Sequence, residues 1–183
     1  HPFALLAGDL AHAVHTGLLR KGDAYFFPGG INACLFSQYP DGLRHALRRL
    51  GADDIEIVTP DLSGMRDEMG YLTGVHLWEG VVTADMLIRM SCERRPYELK
   101  KGEVDAIHEL NLAELAEAVQ VGEVLDFLPT AVTRMERIEQ RPGPRRPRIG
   151  VAGDVYTRIH PFGNHDLFRK LEALGLEVWP APF

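Results

Sequence analysis

Cys34 is the residue best placed to do chemistry. It follows the apolar run Ala24 to Phe27 and the turn Pro28-Gly29-Gly30, and it precedes a stretch with helical spacing. A residue between the end of a strand and the start of a helix sits at the edge where parallel α/β sheets place ligands. The positive helix N-terminus would lower a thiol pKa there and favour the thiolate. Thiolates are the usual ligands of iron–sulfur clusters. A buried, inert cysteine is the alternative, and these residues alone leave both open. Gly29, Gly30, Gln38 and Tyr39 are the pocket candidates around it, although Tyr39 could equally just staple the helix. Cys92, ahead of Arg94-Arg95-Pro96, reads as structural. Neither cysteine has a Cys-x-x-Cys partner, which excludes a zinc ribbon within this chain.

Other groups are weaker. Asp9, His12 and His15 follow at i, i+3, i+6 and could approach a metal, but they also fit a solvent-facing helix side opposite Leu6, Leu10 and Val14. His160 and His165 flank a Pro-Phe-Gly turn and could meet a phosphate or move a proton. Gly150-Val151-Ala152-Gly153 is short of a full G-x-G-x-x-G, so it makes a poor nucleotide signal. The turn from Gly153 to Arg158 still lies where a sheet edge presents backbone N–H groups. Tyr156 and Arg158 are candidate ligand contacts there, with loop packing as the alternative.

The elements that must hold these residues follow from spacing. Pro2 to Leu19 reads as a helix, Ala24 to Phe27 as a strand, Ser37 to Leu50 as a helix and Ile55 to Val58 as a strand. That order predicts a parallel sheet with crossover helices. Asp61 to Gly74 reads as a loop. Val75 to Met90, Glu103 to Val119 and Val124 to Ile138 read as helices, with Pro129 expected to kink or end the last. Pro142 to Pro147 is the linker candidate. A second α/β piece follows: strand Arg148 to Ala152, a helix capped by Asn164 with Gly175 at its end, and strand Leu176 to Trp179. The expected organisation is a first α/β unit over 1–74, a helical insert or bridge over 75–140 and the start of a second α/β unit over 148–183.

Composition narrows the class. Of 183 residues, 45% are apolar, enough for a packed core. The formal net charge of -6, without a long basic run, argues against a nucleic-acid partner. The densest basic stretch, Arg141 to Arg148, is interrupted by three prolines and reads first as linker, second as an RNA or anion contact. Two cysteines cannot build a disulfide framework, which fits a cytoplasmic protein. No apolar run is long enough for a membrane span. A start at His1 and a stop at Phe183, directly after an apparent strand, lead us to expect a piece of a longer protein.

Tyr25-Phe26-Phe27-Pro28 through Cys34-Leu35-Phe36-Ser37-Gln38-Tyr39 resembles the cysteine-bearing turn of the 2-hydroxyglutaryl-CoA dehydratase D-component superfamily, and within it the acyl-CoA dehydratase activase-related proteins. Those carry a Gly-Pro-Cys-Arg-Phe-Gly-Gln-Tyr-like turn. Here Asn32 and Ala33 replace Gly-Pro, Leu35 replaces Arg and Ser37 replaces Gly, while the Cys, Phe, Gln and Tyr are kept. Arg95-Pro96-Tyr97-Glu98 with Lys101-Gly102-Glu103 is similar to a further segment of that family. So are Arg148-Ile149-Gly150-Val151 through Gly153-Asp154-Val155-Tyr156, and Asn164 to Phe183. Each motif alone is weak, but four in the same order across nearly the whole chain are fairly specific. His1-Pro2-Phe3 matches a segment that follows a cysteine in relatives; that cysteine would fall just before residue 1.

The resemblance implies Rossmann- or flavodoxin-like parallel-sheet units and an iron–sulfur cluster, of the 4Fe-4S kind, with Cys34 as one ligand and the others outside this chain. It implies an ATP-dependent activator, or a fused ATPase domain, that passes one electron to the cluster. It also implies an acyl-CoA thioester as the acceptor, and an oligomer or longer chain in the cytoplasm. A partner-docking or electron-relay module without substrate chemistry is the second expectation. A generic nucleotide- or sugar-phosphate-binding α/β enzyme is the third.

Overall fold

The structure, a computed structural model, describes residues 2–27, 35–59 and 70–182. Gly29, Gly30, Cys34 and most of the expected 61–74 loop lie outside the described residues. The chain divides into two compact units, His1–Tyr71 and Leu72–Phe183.

The first unit contains α1 (Pro2–His15), β1 (Ala24–Phe26), a 3-10 turn (Leu35–Gln38) that runs into α2 (Tyr39–Arg49), and β2 (Glu56–Val58). The strands are parallel, with Ala24 opposite Glu56 and Phe26 opposite Val58. α1 is shorter than the expected Pro2–Leu19 helix. Gly17 takes a left-handed φ of 73°, which glycine accepts without a Cβ clash and which stops the helix. Leu10 of α1 and Leu43 and Leu47 of α2 pack with Phe27, Ala52, Ile55 and Ile57 into one core. Burial of each such leucine is worth about 1.5–3 kcal/mol. Asp9, His12 and His15 are on the exposed side of α1.

The second unit contains α3 (Tyr71–Arg94), a 3-10 turn (Arg95–Tyr97), α4 (Glu103–Val121), α5 (Val124–Glu136), β3 (Arg148–Val151), α6 (Val155–Ile159), α7 (Leu167–Ala173) and β4 (Glu177–Pro180). β3 and β4 form a second parallel pair, with Arg148 opposite Glu177 and Val151 opposite Pro180. Leu87, Leu115, Ala118, Val124 and Ala131 form one core between α3, α4 and α5, and Val104, Met135 and Ile138 form another. Asn111 of α4 is fully buried. It donates to Ala131 O at 3.3 Å and accepts from Arg134 Nη1 at 3.2 Å, which ties α4 to α5.

Several expectations change here. α3 begins at Tyr71, so the last residues of the expected loop are helical. α5 continues through Pro129 to Glu136 instead of ending there. Burial of Val124, Ala131 and Met135 on either side offsets the hydrogen bond that proline cannot donate. The expected turn from Gly153 to Arg158 contains the short helix α6, which Asp154 caps by accepting from Thr157 N at 2.9 Å. The N-cap of α7 is Asp166, with a left-handed φ of 55° and no side-chain cap bond, and not the expected Asn164, whose Oδ1 accepts from Leu167 N at 3.1 Å from the turn before the helix.

The expected linker, Pro142 to Pro147, is tied down at both ends. Arg141 N donates to Tyr97 O at 2.7 Å, Arg146 N donates to the Tyr97 hydroxyl at 2.9 Å, and Glu177 N donates to Pro147 O at 2.9 Å. The helical stretch and the last α/β piece therefore belong to one unit. The fold is a mixed helix-and-strand one with two small parallel sheets. Among the described residues, no helix is long and apolar enough to cross a membrane.

Candidate functional site

The β1–α2 connection is described only at its two ends. Phe27, Phe36 and Tyr39 form an aromatic cluster there, with Phe27 and Phe36 ring centroids 4.7 Å apart and Phe36 and Tyr39 5.8 Å apart. Tyr39 also meets Phe3 of α1 edge-on at 5.3 Å, so it staples α2 to α1 whatever else it does. Gln38 is exposed. Leu35, directly after Cys34 in sequence, is 67% exposed and Phe36 37%.

The second set of sequence candidates is brought together around α6. Arg158 is buried, and its Nη1 donates to Gly153 O at 3.1 Å while its Nη2 reaches Pro182 O at 3.4 Å. Asn164 Nδ2 donates to Arg158 O at 2.6 Å. The two Nη groups of Arg158 thus bond carbonyls at the carboxyl ends of β3 and β4 and hold the Gly153 turn in place, while its Nε is buried without a hydrogen-bond partner among the described residues. The Tyr156 ring lies 5.2 Å from His160, whose Nδ1 accepts from Gly163 N at 3.0 Å.

A third constellation was not visible in the sequence. Arg95 stands at the end of α3, and its Nε donates to Asp105 Oδ1 at 2.9 Å and its Nη1 to Glu172 Oε1 at 2.6 Å. Arg169 donates to the same Asp105 oxygen at 2.7 Å and comes within 3.8 Å of Glu172. Burial opposes the Asp105 charge, but Arg169 and Arg95 outweigh it and hold that carboxyl below its ordinary pKa. Burial pushes the Cys92 thiol up to about 11 against the pull of Arg95, so Cys92 is a thiol at neutral pH. Burial also lowers the His108 pKa, with the Arg95 charge adding to the effect. His108 Nδ1 is buried without a hydrogen-bond partner among the described residues.

Two recesses share Arg95 and Arg169. One, of about 250 Å³, is lined by Ser91, Cys92, His108 and Asp166 together with apolar groups such as Phe168. The other is a groove of about 520 Å³ between the start of α4, residues 141–146 and α7. Its floor is fixed by the Arg95-Pro96-Tyr97-Glu98 segment. Glu98 accepts from Gly102 N at 2.9 Å and Val104 N at 3.0 Å, taking up N–H groups at the start of α4. Gly102 makes the turn at a φ of 90°.

The Tyr97 hydroxyl donates to Glu177 Oε2 at 2.6 Å. Glu177 is fully buried and also accepts from Trp179 Nε1 at 2.6 Å and Arg148 Nε at 2.9 Å. Burial would raise its pKa, but these donors outweigh burial and set it below the usual glutamate value. The Trp179 ring is stacked by both Arg89 and Arg148 guanidinium groups, at 4.2 and 4.5 Å.

Among the described residues, no group of three or more His, Cys, Asp or Glu side chains is arranged to hold a metal ion. Arg95 and its partners are 10 and 77 residues apart in sequence and Arg169 and Asp105 are 64 apart; only Arg169 and Glu172 are neighbours at i, i+3, so no local pattern marks the group. The matched Arg-Pro-Tyr-Glu motif was their only signal. No protein-family model, curated protein or solved structure matches this chain.

Proposed function

We propose that this chain is an iron–sulfur component of a 2-hydroxyacyl-CoA dehydratase or CoA-enzyme-activase-like system, with Rossmann- or flavodoxin-like α/β units. In this reading Cys34 is one thiolate ligand of a 4Fe-4S cluster that passes single electrons to a CoA thioester or a partner. An ATP-dependent activator or fused ATPase domain supplies the electron, in the cytoplasm. The supporting observation is the parallel pairing of β1 with β2. The sequence leaves β1 at its carboxyl end and reaches α2 through Cys34, the connection in which parallel α/β units place ligands.

The described residues do not themselves supply a ligand set. Cys92 is buried and its thiol pKa is raised to about 11, so this reading takes the remaining ligands from outside this chain. The test is anaerobic iron and acid-labile sulfide in the protein that carries this chain, wild type against Cys34→Ser. Stoichiometric iron and sulfide that collapse on substitution are the expected result. Iron that survives the substitution sinks Cys34 as a ligand.

A partner-docking or electron-relay module is the second reading. Exposed Leu35 and Phe36 favour it, because Leu35 stands where relatives carry arginine. No iron in either protein after reconstitution would put this reading first.

A further inference from the structure

We infer that the groove between the start of α4, residues 141–146 and α7 binds the phosphate group of a small phosphorylated molecule. The inference is independent of Cys34 and of any cluster. In a chain of net charge -6, this groove is lined by five cations, Arg95, Lys101, Arg141, Arg146 and Arg169, against three carboxylates, Glu98, Asp105 and Glu172.

Each carboxylate already has partners. Glu98 takes two backbone N–H groups, and Asp105 and Glu172 take the Arg95 and Arg169 guanidiniums. Lys101, Arg141 and Arg146 are left without an ion pair among the described residues. Arg141 Nη2 reaches Leu99 O at 3.4 Å and Arg146 Nη1 reaches Glu172 O at 3.3 Å, both long for hydrogen bonds, and the Arg146 guanidinium lies over the Tyr97 ring at 5.8 Å, which leaves its charge without a counter-ion.

Like charges gathered without counter-charge repel unless an anion joins them. Guanidinium forks fit phosphate oxygens in pairs, and a lysine adds a point charge.

The backbone makes the groove ready for such a ligand. Leu99 N donates to Glu139 O at 2.8 Å and Arg141 N to Tyr97 O at 2.7 Å, so residues 97–99 and 139–141 run side by side. The Tyr97 hydroxyl holds Arg146 N at 2.9 Å. Main-chain atoms therefore set these positions, and the cationic side chains can be replaced without dismantling the frame.

The basic stretch Arg141 to Arg148 divides its labour accordingly. Arg145 and Arg148 pair with Glu177, while Arg141 and Arg146 face the groove. A volume of about 520 Å³ is the size of a small-molecule site.

The test is titration of the 183-residue chain with inorganic pyrophosphate at low salt, by calorimetry and by amide shifts, with sulfate and a single-stranded RNA oligonucleotide as comparison ligands. Saturable pyrophosphate binding is expected, with the largest shifts at Gly102, Val104 and Arg141. Dissociation constants should rise roughly fivefold in Arg141→Gln and more than about tenfold in Lys101→Gln/Arg141→Gln. Lys21→Gln, in the other unit, should leave binding unchanged.

A thermal melt of each variant provides a second readout. Pyrophosphate should raise the wild-type midpoint and not that of the double variant, whose own midpoint in plain buffer should be no lower than wild type. Binding equally lost in Lys21→Gln, or equal for sulfate and pyrophosphate in all variants, overturns the inference. So does RNA binding that pyrophosphate cannot displace.

Discussion

At the scale of single residues, the buried Glu177 carboxylate decides the most. A buried charge is tolerated only when its hydrogen-bonding capacity is met, and Tyr97, Trp179 and Arg148 meet it here. Tyr97→Phe leaves the ring in place, removes one of these donors and frees Arg146 N. It should lower the unfolding free energy by about 1–3 kcal/mol in urea titrations. An unchanged midpoint would mean that the hydroxyl carries no stability. Because the folded pKa of Glu177 is depressed, its contribution is present above the ordinary glutamate value of 4.5 and is lost as pH falls through the lower folded value. Between pH 6 and 3, wild type should therefore lose stability more steeply than Glu177→Gln; parallel curves would refute this.

Cys92 yields a kinetic prediction. With a pKa of about 11, only about one thiol in a thousand is ionised at pH 8. Iodoacetamide labelling followed by mass spectrometry should find Cys92 far slower in the native protein than in urea. Equal rates would contradict its burial.

At the scale of elements, the close approach of α3 and α4 at Gly80 is the contact to test. A Cβ at Gly80 would lie 2.6 Å from Val119 Cγ2. Alanine there gains about 1 kcal/mol in helix propensity but overpacks the interface by about 1–3 kcal/mol. A net loss of about 1 kcal/mol is expected, and Val119→Ala in the same chain should recover part of it. A double-mutant cycle in urea measures this, with a coupling near zero excluding the proposed contact. The same scale explains which elements were legible. Periodicity located β1, α2, β2, α4 and β4 to within a few residues, because each carries its own apolar stripe or run. It undercalled α3, whose first turn, Tyr71 to Gly74, contains glycine and resembles a loop by composition. It missed α6, which is held by the Asp154 cap and the Arg158 bonds more than by any helical pattern.

At the scale of the whole molecule, the division after Tyr71 makes a structural prediction. A piece covering 71–183 encloses both helical cores, the β3–β4 pair and the Tyr97–Glu177 knot. It should fold alone with a single cooperative urea transition and dispersed amide resonances. A molten spectrum would show that the first unit is needed to complete it. If 71–140 were separable from 148–183, two transitions would appear instead. The direct bonds between the pieces, Tyr97 to Glu177, Arg95 to Glu172 and Arg169 to Asp105, oppose that outcome.

By itself the sequence determined the alternation of helices and strands, the parallel pairing and the stopping points at glycine. These depend on short-range patterns: apolar period, turn residues and caps. It also singled out Cys34 and the Arg141 to Arg148 stretch by residue type, without settling what either does. Only the tertiary structure decided that this basic stretch is no free linker, that Arg158 closes its own turn, and that Arg95, Asp105, Arg169 and Glu172 meet. The reason is physical. Hydrogen bonds and ion pairs between residues tens of positions apart depend on how the elements pack, and no spacing along the chain encodes that distance in space.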